Sequence, residues 1–149
     1  MPTHTEQRIL PYTPQQMFDL VADIEQYPEF LPWCSDARII RRKDDHILAE
    51  LTIGYKMIRE RFVSNVTLEP KEKKIHVSYV SGPLKVLKNE WTFSPEGKKK
   101  CRVDFYVHFE FSNPILSAMM NMFFNVAFVQ MVSSFEKRAA AIYGLPKAK

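Results

Sequence analysis

Glycine is scarce in this 149-residue chain, with only four, and none of them forms a Gly-rich phosphate-cradling loop. Cysteine is scarcer: Cys34 and Cys101 lie far apart with no CxxC spacing, which argues against a zinc site or a disulfide framework and suits a reducing compartment. The four histidines, His4, His46, His76 and His108, read as strand-end or polar-face residues, and none has HExxH spacing or a neighbouring nucleophile. Nothing assembles acid, base and nucleophile, so no catalytic residue and no metal are expected and the chain reads as a non-enzyme. The N-terminus has neither an apolar h-region nor an Arg-rich amphipathic stretch, which predicts a protein without a signal or transit peptide. Charge is absent altogether from Pro114 to Phe135.

What the chain does contain is apolar and aromatic. It is 46% hydrophobic, with 11 phenylalanines, enough for a sizeable core in one domain spanning 1–149. Net charge is +4, but the dense basic runs are only Arg41-Arg42-Lys43 and Lys98-Lys99-Lys100, read as hairpin tips or strand edges, with contact to anionic headgroups or RNA as the sharper reading.

A short strand is predicted over Thr5–Leu10. A helix start follows, with Thr13 as cap, Pro14 at the first position and Gln16 completing a capping box. Met17, Phe18 and Val21 form its apolar face, and Pro28 and Pro32 bend the chain into a second helical turn. From Ala37 the period becomes two, with strands near 37–43, 47–53, 57–68, 74–80, 85–94 and 101–111. In the last, Cys101, Val103, Phe105, Val107, Phe109 and Phe111 share a face. Asn113-Pro114 then opens a helix that runs to Tyr143, where Gly144 and Pro146 stop it; thirty residues would span about 45 Å. The order is α+β, a curved antiparallel meander whose apolar face only the terminal helix is long enough to cover.

That helix has three readings: a membrane anchor, opposed by Ser117, Asn121, Asn125 and Gln130; a buried core helix; or the lid of a lipid cavity, favoured by Met119, Met120, Met122 and Met131. Two polar residues interrupt apolar strand faces. Glu60 shares a face with Ile58, Phe62 and Ser64, either as a strand-end carboxylate reaching water or as an anchor at a cavity mouth; Asn89, beside Leu87 and Trp91, could meet a carbonyl-bearing headgroup.

Tyr27-Pro28-Glu29-Phe30-Leu31-Pro32-Trp33-Cys34 resembles the signature of the coenzyme Q-binding START-like family, a polyketide cyclase-like group that also includes bacterial ribosome association toxins. The likeness continues through Gly82-Pro83-Leu84-Lys85-Val86-Leu87, Asn89-Glu90-Trp91-Thr92-Phe93, Phe109-Glu110-Phe111 and the helix after Asn113-Pro114. It implies a helix-grip (START-like) fold, in which the sheet wraps the terminal helix. It also implies a bound ubiquinone or other polyprenyl quinone or lipid, no required cofactor, and a carrier or chaperone role in respiratory electron transport or quinone biosynthesis. On that reading Phe30, Leu31 and Trp33 form a rim, and Ile58, Phe62, Leu87, Trp91, Phe105, Phe109, Phe123 and Ala127 form the wall, with Glu60 and Asn89 as polar contacts. Within that family the missing presequence suits a bacterial member, the cysteine usage suits the cytoplasm, and the uncharged strip of the terminal helix suits peripheral contact with the inner face of the plasma membrane, with no DNA partner expected. The alternative from the same family is a factor that blocks ribosomal subunit association; a cyclase or hydrolase draws only on analogy to other helix-grip proteins.

Overall fold

The computed structural model describes residues 3–31, 34–55 and 58–144; the side chains of Tyr55, Ile58, Leu116 and residues 119–128 lie outside that description. The elements are β1 (Thr3–Leu10), α1 (Pro14–Ala22), a 3-10 turn (Ile24–Glu29), β2 (Cys34–Lys43), β3 (His46–Tyr55), β4 (Ile58–Glu69), β5 (Lys74–Ser81), β6 (Leu84–Pro95), β7 (Cys101–Phe111) and α2 (Pro114–Tyr143). The expected strand, helical corner, meander and long helix are all present, with strand ends moved by three residues or fewer.

The capping box forms as its residue types require: Gln16 N–H donates to Thr13 Oγ1 at 3.1 Å and Thr13 N–H donates to Gln16 Oε1 at 2.9 Å. Met17, Phe18, Leu20 and Val21 bury the face of α1 so fixed.

All strand pairs are antiparallel, and the sheet order is β1-β7-β6-β5-β4-β3-β2. Consecutive strands from β2 to β7 pair through tight connections, and β1 closes onto the far side of β7, with Thr3 opposite His108 and Leu10 opposite Cys101. Register shifts at Cys34/Asp36, Ile39/Arg41, Val63/Ser64 and Leu84/Val86 add local twist and bend the sheet. On β7 burial alternates without a break, so the predicted face of Cys101, Val103, Phe105, Val107, Phe109 and Phe111 is the concave one.

One glycine is demanded by packing. Gly82, in the β5–β6 connection, has φ +138°, and a Cβ there would stand 2.7 Å from Phe62 Cβ and 2.9 Å from Phe62 Cα. Only glycine lets this turn lie directly on β4.

The core is one cluster, formed by the concave sheet face, α1, the helical corner, and Met131, Val132, Phe135 and Ala139 of α2. Aromatic rings tie the layers together. Phe135 stands 5.2 Å from Trp91 on β6 and 5.1 and 5.4 Å from Phe30 and Tyr27 in the corner, each approach edge-to-face. At the sheet edge, Arg8 ties α2 to β1: its guanidinium donates to Glu136 at 3.1 Å and to Ser133 Oγ at 3.4 Å, and its Nε bonds Glu6. Among the described residues no helix is long and apolar enough to cross a membrane.

Candidate functional site: a hollow between sheet and helix

Between the bent sheet, the helical corner and α2 lies a partly open hollow of about 180 Å³. Its sheet walls are the inward residues of five strands: Ala49, Leu51 and Ile53 of β3; Phe62, Ser64 and Val66 of β4; Ile75 and Val77 of β5; Leu84, Leu87, Asn89 and Trp91 of β6; Phe105, Val107, Phe109 and Phe111 of β7. Ile24, Tyr27, Leu31 and Cys34 of the corner and Met131 and Phe135 of α2 complete the described lining. Period-two alternation puts each strand residue here, and the i, i+4 step puts Met131 and Phe135 on one helix face. For comparison, an apolar cavity near 150 Å³ accepts a benzene ring and stays dry when empty.

Leu31, Phe62, Leu87, Asn89, Trp91, Phe105 and Phe109, expected at the site from the sequence, all line this hollow. Phe30 and Glu60 do not. Phe30 is taken up by packing against Phe135 and lies under the Arg138 guanidinium, 5.3 Å from its ring centre. Glu60 sits half-buried near the start of β4, opposite Ile53, where its carboxylate keeps access to water. Trp33 and the side chains of Ile58, Phe123 and Ala127 lie outside the described residues.

The polar groups of the wall are mostly committed. Asn89 Nδ2 donates to the Tyr106 carbonyl at 2.8 Å, and its Oδ1 accepts from the Trp91 indole N–H at 3.1 Å, which leaves Asn89 one N–H and one lone pair to spare. Tyr27 O–H donates to the Val21 carbonyl, and burial, with smaller contributions from Cys34 and Asp23, pushes its phenol well above the usual range. The Cys34 thiol, donating to the Asp36 carbonyl at 3.5 Å, is pushed up to about 11, chiefly by burial. Cys101, buried below β7, is likewise raised to about 11 by burial. Thiols so raised stay protonated at neutral pH and are poor nucleophiles.

Sequence reasoning missed Tyr27, Cys34, Ser64 and Phe135 as wall residues. For Phe135 the signal existed, in the spacing of Met131, Phe135 and Ala139. His4 lies at the end of β1, one of the two expected positions, and points inward, 2.9 Å from Glu6 and with its ring centre 6.1 Å from that of Phe105, because pairing with β7 turns the even-numbered residues of β1 toward α2. Among the described residues no group of three or more His, Cys, Asp or Glu side chains could hold a metal ion. What the described residues offer is a largely apolar, partly open hollow with few hydrogen-bonding groups.

Comparison with known proteins agrees with this geometry. The family described as polyketide cyclase/dehydrase and lipid transport matches residues 10–136. The ribosome association toxin RatA of Rickettsia prowazekii is 36% identical over 91% of this chain and 94% of its own length. The coenzyme Q-binding protein COQ10 homolog B, mitochondrial, of Xenopus laevis is 35% identical over 95% of this chain, which spans 59% of that protein. Among solved structures, an 18 kDa protein of Caulobacter crescentus aligns with a TM-score of 0.79 and 36% identity over 97% of this chain and all of its own. The Zhui aromatase/cyclase aligns with a TM-score of 0.83 over 93% of each chain at 11% identity, a likeness of fold alone. With its curved seven-stranded sheet gripping a C-terminal helix and these matches along its length, the chain belongs to the polyketide cyclase/dehydrase and lipid transport family.

Proposed function

We propose that this protein binds ubiquinone, or another polyprenyl quinone or lipid, in the hollow between sheet and α2, and carries or chaperones it for respiratory electron transport or quinone biosynthesis without converting it. The observation that carries the reading is the hollow itself, walled almost wholly by aliphatic and aromatic side chains. Exposing such a ligand to water costs about 25 cal/mol per Å² of apolar surface, and burial in the hollow removes that cost. The ring end fits a volume of this order, and the prenyl tail runs outward along α2. The COQ10 homolog, whose name carries coenzyme Q binding, supports the choice of ligand.

The protein works from the cytoplasm and docks on the membrane with the start of α2, where Ile115 is 73% exposed in a segment that lacks charge. Vesicles loaded with ubiquinone test the carrier reading. Incubated protein, separated from the vesicles, is expected to hold about one quinone per chain. Protein that returns empty at every quinone density overturns it.

A second reading, that the protein contacts ribosomes and blocks subunit association, is favoured by the names of the RatA relatives and by one surface. On the outer face of β2–β4, Arg38, Arg41, Lys43, Arg59 and Arg61 stand exposed against the carboxylates of Asp36 and Glu50. Such a face suits a phosphate backbone. Sucrose gradients of ribosomes with added protein test it: a rise in free subunits supports the reading, and an unchanged profile removes it.

A further inference from the structure

We propose that Ser64 is a polar contact of the hollow, hydrogen-bonding the oxygen of a carbonyl- or hydroxyl-bearing ring that enters head first. The proposal rests on the ligand-binding reading above and names the chemistry of its deep end.

Ser64 lies on β4 beside a bulge: the pairing with β5 shifts between Val63, opposite Ser81, and Ser64, opposite Tyr79. It is 2% exposed, yet its side chain belongs to the wall of the hollow. The other described polar side chains there each have a partner: Tyr27 with the Val21 carbonyl, Cys34 with the Asp36 carbonyl, Trp91 with Asn89, and Asn89 with the Tyr106 carbonyl. Among the described residues the Ser64 hydroxyl makes no hydrogen bond and opens onto the hollow; the one fully sealed side-chain polar atom without a partner is Arg138 Nε.

A buried hydroxyl without a partner costs free energy relative to alanine or valine, which would fit the same apolar wall. Water is a poor partner at this spot, because a stable buried water needs two to four polar neighbours and a lone hydroxyl in an aliphatic wall supplies one. A ligand oxygen needs only that one. Serine can donate to a quinone carbonyl and accept from a hydroquinone or phenol hydroxyl, so one residue serves either form.

The test compares two probes that differ in their oxygens, a decyl-substituted benzoquinone and decylbenzene, binding to wild type and to Ser64→Ala by quenching or displacement. Ser64→Ala is expected to weaken the benzoquinone about 3- to 10-fold and to leave decylbenzene unchanged or slightly tighter. Ser64→Cys, nearly the same size with a weaker donor, falls between the two. Since Ser64→Ala removes a hydroxyl that bonds nothing, its Tm stays at or above wild type, which a structural role for Ser64 would not allow. Equal affinities of wild type and Ser64→Ala for the benzoquinone, or equal losses for both probes, overturn the proposal while the hollow remains a binding site. Wild type that binds neither probe overturns the underlying reading as well.

Discussion

Ala49 is the position at which filling the hollow can be told apart from damaging the core. It is 1% exposed on β3, opposite Ser64 of β4 and Ile39 of β2, and its methyl group lines the hollow. At roughly 24 cal/mol per Å³, an empty volume of about 180 Å³ forfeits on the order of 4 kcal/mol of packing. Ala49→Leu adds three carbons to that space, worth about 2 kcal/mol at ~0.8 kcal/mol each. Less a modest rotamer cost, the net gain is about 1–2 kcal/mol, read in a thermal melt as a Tm higher by roughly 3–6 °C. The same carbons take contacts from a ligand, so quinone affinity should fall about 30-fold. A solid interior gives the opposite sign: overpacking would lower the Tm by the equivalent of about 1–3 kcal/mol. A lower Tm, or a higher one with undiminished quinone binding, refutes the reasoning.

Other substitutions probe the frame around the hollow. Gly82→Ala forces a Cβ against Phe62 at a backbone angle closed to alanine, and should destabilise by about 2 kcal/mol or more in denaturant unfolding; an unchanged midpoint would contradict the contact. Phe135→Ala removes the ring that joins Trp91 to Tyr27 and Phe30, with an expected loss of about 3–5 kcal/mol and enlarged quinone uptake in any folded fraction. The two thiols set an alkaline limit. Their folded values lie near 11 against an ordinary 9.0, so the folded state holds protons that the unfolded state gives up. That stability is full below about pH 9 and is lost as pH climbs toward 11, on the order of 2 kcal/mol per thiol. Cys34→Ala should flatten the fall in Tm between pH 9 and 11; an identical slope would remove the cause.

Much of the fold was legible because period and punctuation are local. The unbroken alternation of β7, the capping box of Thr13 and Gln16 and the proline opening α2 each announce an element from a few adjacent residues, and each is found where expected. Facing was also legible, since Leu87, Trp91, Phe105 and Phe109 share the inner side through alternation alone. Volume was not. Whether inward side chains meet or leave a gap depends on sheet curvature and on the height of α2 above the sheet, which bulges and the Phe135 contacts determine. Hydrogen-bond commitments were equally hidden: Asn89 looks available in the sequence, but its amide reaches Tyr106 on the neighbouring strand. Ser64 passed as an ordinary face residue because its isolation is a property of what surrounds it. The inward turn of His4 follows from the β1–β7 register, set by residues a hundred positions apart.

The most direct test is native mass spectrometry of protein purified without detergent, followed by organic extraction and identification of whatever leaves with it. The account predicts a population heavier than the bare chain by one lipid whose ring carries a carbonyl or hydroxyl, with that population lost in Ala49→Leu. A single species at the mass of the polypeptide, unchanged after exposure to quinone-loaded vesicles, would contradict it.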